Sequence, residues 1–492
     1  MQRKFLTNLG LLLFLNLLIK PFWIFGIDRT VQNTVGVADY GFYFVIFNFS
    51  FLFNILLDLG ITNFNNRNIA QHNHLLNKHF SGILVLKFLL GIFYILITYM
   101  IAVFIMGYSG DQLYLLAFLA FNQFLSSFIL YLRSNISGLL LFKTDSLLSI
   151  LDRILMILFC GVLLWGHITE GPFRIEWFVY SQTAAYIATA LIAFYIVIRK
   201  SKFRRLNWHW PFFLMIIKKS MPFALMVLLM TLYNRLDPVM LEGILDESLG
   251  NEQAGIYAHG FRLLDAAAMI SFLFSVLLIP IFSKMIKQKE SVEQMLKLSY
   301  TLIITVATIV AVTSFFYSSE MMNLLYDSDT SQSAPVFQLL MLGFVAISTT
   351  YIFGTLLTAN GNLKELNIIA GISLIINLIV NLVLIPRLLA YGSAISSLST
   401  QIFAALSQVI LVQRVFKFKV NYRFLATLFS FIGGVILFTW LSTQITITIP
   451  GLPAHLAWLS NFTLAFIISL FLAVILRLLH FRSLIGILRR DS

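Results

Sequence analysis

The stretch MPFALMVLLMTLYNRLDPVMLEGILD, residues 221–246, places Asn234, Arg235 and Asp237 within a long apolar run. At about 1.5 Å per helical residue, Arg235 lies about 21 Å from the start of the stretch, inside a hydrocarbon layer about 30 Å thick. A charge at that depth costs roughly 2.5–3.5 kcal/mol on insertion scales, so Arg235 is expected to face protein or water. Pro238 follows and lacks a backbone donor, which predicts a broken helix and a hinge beside the charges.

The composition around this stretch is that of a membrane protein. Of the 492 residues, 59% are hydrophobic and 11% are charged, whereas soluble domains carry about 25% charged residues. The apolar runs are continuous rather than alternating, which predicts an all-α polytopic protein of about fourteen transmembrane helices. The run after Arg3 and Lys4 has no cleavage site and is predicted to remain as the first span. The one cysteine, Cys160, excludes a disulfide within the chain.

The net charge of +13 is distributed in a way that favours a membrane rather than nucleic acid as partner. Most Lys and Arg residues fall at alternate connections or at the ends, in residues 3–4, 67–87, 133–143, 199–219, 284–297, 364, 414–423 and 477–490. The connections between them carry acidic residues such as Asp39, Asp111 and Glu320. The positive-inside rule places the basic set in the cytoplasm, so both termini are predicted to be cytoplasmic and the span number even.

The apolar runs predict spans at about 6–27, 38–66, 80–107, 112–140, 145–168, 173–199, 213–246, 252–284, 293–318, 333–359, 364–389, 391–417, 422–447 and 454–478. Residues 200–212 form a basic linker that divides the chain near its middle. We therefore predict an N-lobe of six helices at 1–199, a C-lobe of six at 213–417, and a final helix pair with a tail at 418–492.

Weak self-similarity supports a duplication of the six-helix unit. Leu236-Asp237 echoes Ile27-Asp28, and Gly255-Ile256-Tyr257 echoes Gly41-Phe42-Tyr43 at the start of the next helix. Because both halves begin in the cytoplasm, the repeat is predicted to be parallel, about an axis along the membrane normal.

Short motifs stand near the ends of the predicted spans: Asp39-Tyr40-Gly41, Asp58-Leu59-Gly60, Arg67-Asn68-Ile69-Ala70, and Asn360-Gly361 before Lys364. Together with the fourteen-span charge pattern, they resemble those of the bacterial polysaccharide flippases of the multidrug/oligosaccharidyl-lipid/polysaccharide exporter (MOP) superfamily. The resemblance implies two lobes around a central cationic cavity, in the bacterial inner membrane. It also implies alternating access that moves undecaprenyl-diphosphate-linked sugars from the cytoplasmic to the periplasmic leaflet. The partners that it implies are this glycan, membrane lipid, a polysaccharide polymerase and glycosyltransferases.

Several cations inside the predicted spans are candidates for binding a lipid diphosphate: Lys20, Arg153, Arg235 and Arg262. Guanidinium groups match phosphate oxygens in bidentate fashion, and Lys contributes a point charge. Structural ion pairing is the alternative interpretation. It is strong for Arg262 and Asp265, which lie three residues apart on one helical face. Asp152 and Arg153 are adjacent, about 100° apart on a helix, so each is expected to meet a different partner.

Acidic residues are candidates for ion coupling, and two prolines and an arginine are candidates for a gate or hinge. Asp28, Asp237 and Asp265 could couple transport to H+ or Na+; a cap or close helix contact is the favoured interpretation of Asp58. Gate or hinge candidates are Pro21, Arg67 and Pro238. His72, His74 and His79 lie beside a basic loop, without a nearby carboxylate or cysteine, so no metal site is predicted.

Alternative functions share the fold or the location. An ion-coupled multidrug exporter would be expected to have an acidic or apolar cavity, and a lipid II flippase belongs to the same class of transporter. An enzyme such as a polymerase or ligase of lipid-linked sugars usually needs a larger outer loop. The sequence has no GxxxxGK[ST], HExxH or G-x-S-x-G motif, so we predict a transporter without a cofactor.

Overall fold

The structure is a computed structural model that describes residues 18–19, 21–62, 65, 69, 75–139, 141–166, 171–201, 210–445, 453 and 456–478. Every regular element in these ranges is helical, and ten helices are long and apolar enough to cross a membrane. The prediction of an all-α polytopic membrane protein is confirmed. The exact number of fourteen spans stays a prediction.

The chain forms two compact units, Met1–Gly255 and Ile256–Ser492. The described helices of the first unit begin with a π-helical segment, Trp23–Asp28. It continues as α1 (Arg29–Val35), α2 (Val37–Leu52), a 3-10 helix (Asn54–Leu57), α3 (Leu75–Phe104), α4 (Gly110–Gly138), α5 (Phe142–Trp165), α6 (Ile175–Lys200) and α7 (Trp210–Ile244). Aromatic and aliphatic residues of α3, α4 and α6 form a core within it, including Phe80, Phe128, Tyr131 and Ala193.

Helix α8 (Glu247–Lys287) begins in the first unit and continues into the second. The second unit then contains α9 (Glu293–Phe316), α10 (Ser318–Leu325), α11 (Thr330–Asn360), α12 (Leu363–Phe416), α13 (Tyr422–Gln444) and α14 (Trp458–Ile475). Non-helical backbone at Leu389 divides α12 into two helices, where the sequence predicts two separate spans. One apolar cluster joins α9, α13 and α14 through Ile309, Phe431, Val435 and Ala473.

Two equivalent glycines of the predicted repeat lie against each other within the first unit. A Cβ on Gly41 would lie 1.8 Å from the Asn251 carbonyl oxygen, and a Cβ on Gly255 would lie 2.1 Å from the Val37 carbonyl oxygen. The starts of α2 and α8 therefore cross backbone to backbone, and only glycine permits this approach at either position. The contact is reciprocal, as a two-fold axis between repeats would produce. The parallel repeat and the lobe boundaries remain predictions that this crossing supports.

The described spans from α3 onward agree with the predicted bounds to within about five residues. Three local expectations differ. The first helix continues to Val35 rather than ending near residue 27, and the short helix α10 follows α9 directly. The prediction of a helix broken at Pro238 is wrong, because α7 stays helical from Trp210 to Ile244. The loss of one backbone donor there does not interrupt the helix, whereas the second span is interrupted without any proline.

Candidate functional site

The irregular first helix and α5 hold an arginine and a tryptophan together inside the first unit. The π-helical segment begins two residues after Pro21, and such segments are frequent at functional sites. Trp23, its first residue, is buried and stacks on Phe178 of α6 with ring centroids 5.7 Å apart. The Arg153 guanidinium of α5 lies over the Trp23 ring, 5.7 Å from its centroid. We call Trp23, Arg153, Phe178 and Tyr186 the Arg153 site.

The Arg153 guanidinium keeps its charge at this position and is partly exposed. Its Nε lies 3.7 Å from Asp152 Oδ2, beyond hydrogen-bond distance, and the guanidinium also approaches the Tyr186 hydroxyl. The prediction that the adjacent Asp152 and Arg153 would meet different partners was therefore wrong in part. An aromatic face attracts a cation without neutralising it, so the Arg153 site can still attract an anion.

A buried carboxylate lies at the other end of the π-helical segment. Asp28 accepts hydrogen bonds from the Tyr40 hydroxyl at 2.9 Å and 3.0 Å and from Gln32 Nε2 at 3.1 Å. Tyr43, one turn further along α2, accepts a hydrogen bond from Gln182 Nε2 at 3.0 Å. Asp28 is thus held by two donor groups inside the protein, the Tyr40 hydroxyl and the Gln32 amide.

Helix α7 places a second arginine on an aromatic ring. The Arg235 guanidinium lies 5.4 Å from the centroid of the Phe51 ring of α2, and the side chain is partly exposed. Asp237, two residues further, is completely buried. Arg235 and Asp237 therefore differ in exposure, consistent with their different faces on the helix.

The other predicted residues are distributed as follows. Arg262 and Asp265 lie on α8 in the second unit, and both are partly exposed. Lys20 and Arg67 lie outside the described residues, as do His72 and His74. Whether Lys20, Arg153, Arg235 and Arg262 line one cavity stays a prediction, as do the roles of the acidic and hinge candidates.

A polar cluster around the Glu242 carboxylate lies at the end of α7, beside the connection between α3 and α4. Glu242 accepts a hydrogen bond from Gln112 Nε2 at 2.9 Å and one from the Tyr108 hydroxyl at 3.3 Å. Burial, together with the Glu242 charge, raises the pKa of Tyr108, so its hydroxyl remains a donor at neutral pH. Gln112 also accepts a hydrogen bond from the Ser109 backbone N–H, at the start of α4. This cluster joins α7 to α4 within the first unit.

One buried lysine was not predicted from the sequence. Lys87 belongs to the basic residues 67–87, which the charge pattern places in the cytoplasm, but in the structure it lies about 18 Å along α3, with 1% of its side chain exposed. Lys87 forms an ion pair with Asp58 and donates to the Leu57 carbonyl oxygen at 3.0 Å and to Ser127 Oγ at 3.1 Å. Asp58 thus makes the close helix contact that the sequence favoured. The sequence did contain a signal for this buried charge, because Lys87 lies inside the apolar run of α3 rather than in its first turns.

The fold is similar to those of a solved flippase and of solved multidrug transporters. It is similar to the lipid II flippase MurJ in an inward closed conformation, with a TM-score of 0.67 at 14% identity over 95% of this chain and 99% of that chain. An inward-facing multidrug resistance MATE transporter gives a TM-score of 0.59 at 14% identity, over 81% of this chain and 96% of the other. A MOP transporter from Pyrococcus furiosus, described by the reverse polarity of its binding pocket, gives 0.60 at 14% identity, over 83% and 95%.

The family follows from the sequence itself. Residues 10–286, more than half of the chain, match the model of the polysaccharide biosynthesis protein family. The chain belongs to this family, which confirms the resemblance found from the motifs. It is a multi-pass membrane protein with the fold of transporters and flippases. No curated protein matches the chain.

Proposed function

We propose that the chain flips undecaprenyl-diphosphate-linked oligosaccharides from the cytoplasmic to the periplasmic leaflet, for surface polysaccharide synthesis. Membership of the polysaccharide biosynthesis protein family and similarity to a lipid II flippase over 95% of the chain support this proposal. Transport proceeds by alternating access through a cationic cavity in the inner membrane. The glycan's polymerase and glycosyltransferases are the proposed protein partners.

The Arg153 site is the observation that carries the proposal. A diphosphate needs a charged donor within the membrane. Arg153 offers a partly exposed guanidinium, which the buried Trp23 ring positions at 5.7 Å from its centroid. A partly exposed guanidinium on the transport pathway would repel cationic drugs, because like charges repel in a medium of low dielectric constant. Arg153 therefore disfavours a multidrug exporter.

Arg235, Arg262 and Lys20 are the proposed further contacts of the diphosphate. Arg235 has the same kind of environment as Arg153, with an aromatic ring under a partly exposed guanidinium. Pro21, Arg67 and Pro238 are retained as proposed gate or hinge residues. Pro21 has the clearest support, because the π-helical segment begins two residues after it.

We propose that Asp28 is the first of the coupling candidates, ahead of Asp237 and Asp265. Its carboxylate lies between a tyrosine hydroxyl and an amide, in the same segment that carries Trp23. Uptake of H+ or Na+ by Asp28 would change the hydrogen bonds at one end of the segment and so could reposition Trp23 at the other. The Asp28→Asn variant should then transport the lipid-linked oligosaccharide at a rate that no longer depends on the H+ or Na+ gradient.

The substrate is tested with the purified protein in proteoliposomes. The probe is an undecaprenyl-diphosphate-linked glycan with a terminal galactose, which galactose oxidase added outside the vesicles can reach in the outer leaflet only. We expect the wild-type protein to make the inner-leaflet pool reactive, faster than empty vesicles do. Lipid II and a cationic dye serve as competing cargoes. Movement of lipid II or of the dye, without movement of the glycan, would contradict the proposal and favour the corresponding alternative.

The proposed orientation has a separate test. In a Cys160→Ser background, single cysteines replace Ser248, which is exposed at the start of α8, and Ser201, which follows α6. An impermeant thiol reagent added to intact cells should label position 248 alone. Labelling of position 201 would reverse the orientation and contradict cytoplasmic termini.

A further inference from the structure

The second span is interrupted at residues 53–60, of which Leu57 and Leu59 are buried. Helix α2 ends at Leu52, the 3-10 helix Asn54–Leu57 follows, and then Leu59 and Gly60 have φ values of +44° and +79°. The Ile61 backbone N–H, the α-helical partner of the Leu57 carbonyl, instead donates to the Asp58 carbonyl at 2.8 Å. The Leu57 carbonyl oxygen therefore needs another donor, because an unsatisfied carbonyl is costly at membrane depth.

Lys87 and the Ser127 hydroxyl, which donates to the Leu57 carbonyl oxygen at 3.2 Å, supply donors there. Lys87 also completes its own hydrogen bonding at the same place. Its ammonium has three N–H groups. They meet three oxygens, namely the Leu57 carbonyl at 3.0 Å, Ser127 Oγ at 3.1 Å and the carboxylate of Asp58. We call Leu57, Asp58, Lys87 and Ser127 the Lys87 site.

The Lys87 site contains the three kinds of oxygen that bind metal cations in proteins: a backbone carbonyl, a carboxylate and a hydroxyl. Broken helices of transporters bind Na+ through carbonyl oxygens of the unwound backbone, and hard cations prefer carboxylate, carbonyl and hydroxyl ligands. The Lys87 ammonium occupies the position where a free cation would be coordinated. Thr62 donates to Asp58 from its backbone N–H at 3.2 Å and from its hydroxyl, which fixes the carboxylate.

We propose that the Lys87 site is a monovalent-cation site in which the Lys87 ammonium replaces a free ion, and that Lys87→Ala converts it into a Na+ site. The cation that holds the interrupted span is independent of the identity of the transported substrate. Asp58 has a quarter of its side chain exposed, which leaves a path for a small cation and for water to complete its coordination. While Lys87 fills the site, coupling by ion exchange there is excluded.

The test is thermal unfolding of the purified full-length protein in NaCl, LiCl or choline chloride at equal ionic strength. Lys143→Ala, which removes an exposed lysine at the start of α5, should respond to the three salts as the wild-type protein does, including any uptake of Na+ at Asp28. Lys87→Ala should have a lower midpoint in choline and a saturable rise with Na+ concentration, which yields a Kd. Adding Asp58→Asn should weaken that Kd at least about tenfold, since a charged ligand is lost.

Lys87→Met is the second variant, because its apolar chain fills the space of the lysine without a charge. Its response to the three salts should equal that of the wild-type protein. Three results would overturn the proposal. These are a Lys87→Ala midpoint that is equal in Na+ and choline, a Lys87→Ala protein that is folded in none of the salts, and Na+ stabilisation of Lys87→Met equal to that of Lys87→Ala.

Discussion

The Lys87 site and the Arg153 site both hold a cation among apolar helices, but their surroundings differ. Lys87 is 1% exposed and has one oxygen acceptor for each of its three N–H groups. Arg153 is 29% exposed, lies over an aromatic ring, and has Asp152 at 3.7 Å. The first cation is fully satisfied by the protein; the second is positioned by rings and keeps a solvent-accessible charge.

This difference separates structural from functional charges better than depth in the membrane does. A buried cation that is satisfied by oxygens stabilises the fold and has no capacity left for a ligand. A cation on a ring makes a weaker contact within the protein and can still attract an anion. We therefore expect variants of Lys87 to affect stability first and variants of Arg153 to affect transport first.

The largest effect on stability is expected for Lys87→Ala. Breaking a buried ion pair leaves the other charge uncompensated and costs roughly 3–5 kcal/mol. Because Asp58 is a quarter exposed, we expect the lower end of this range in choline chloride. Denaturant or thermal unfolding of the purified protein measures the change. A loss no larger than that of Lys143→Ala would place Lys87 in the same class as surface lysines.

A smaller effect is expected for Gly60→Ala, which strains the interrupted backbone beside the Lys87 site. Gly60 has φ +79°, and an alanine in this left-handed conformation costs about 1–2 kcal/mol. Gly433→Ala is the matched control, since a Cβ there would meet nothing within 4 Å and α13 is regular. The control should be neutral or stabilise the protein by up to about 1 kcal/mol. Equal effects of the two substitutions on the unfolding midpoint would show that the interruption is not required.

These residues also show what the sequence could and could not predict. The fold class and most helix bounds follow from apolar runs and local charges, which are properties of neighbouring residues. The Lys87 site depends on residues that are 30 and 40 positions apart, and hydropathy gives no information about such pairs. A proline shows where a backbone donor is missing, but it does not show where a helix is interrupted. Tertiary contacts decide which backbone carbonyl oxygens find a donor outside the helix.

The Arg153 site was predicted in part for a related reason. The sequence identified Arg153 and Asp28 as charges within spans, but not the aromatic residues that position Arg153. The chain has 48 Phe, 7 Trp and 18 Tyr, so composition alone could not single out Trp23. The contact between Trp23 and Arg153 depends on how the first span packs against α5. The residues next to Trp23 or Arg153 in the sequence do not reveal this packing.

The smallest effect on stability is expected for Arg153→Ala. Loss of a partly exposed cation–π contact costs about 0.5–1 kcal/mol, and the contact with Asp152 is too long to add much. Unfolding of the purified variant beside Arg153→Lys measures this directly. A loss above that of Lys87→Ala would mean that Arg153 is a structural charge, and the contrast between the two sites would fail.

The most direct test of the proposed function is the rate at which the purified protein flips the galactose-terminated lipid diphosphate in proteoliposomes. We predict that Arg153→Ala lowers this rate about 10-fold to 150-fold, the equivalent of one charge-assisted phosphate contact of about 1.5–3 kcal/mol, while the variant stays folded. Arg153→Lys should keep an intermediate rate, because it retains the charge without the bidentate geometry. Wild-type flipping by a folded Arg153→Ala/Arg235→Ala protein would contradict the account.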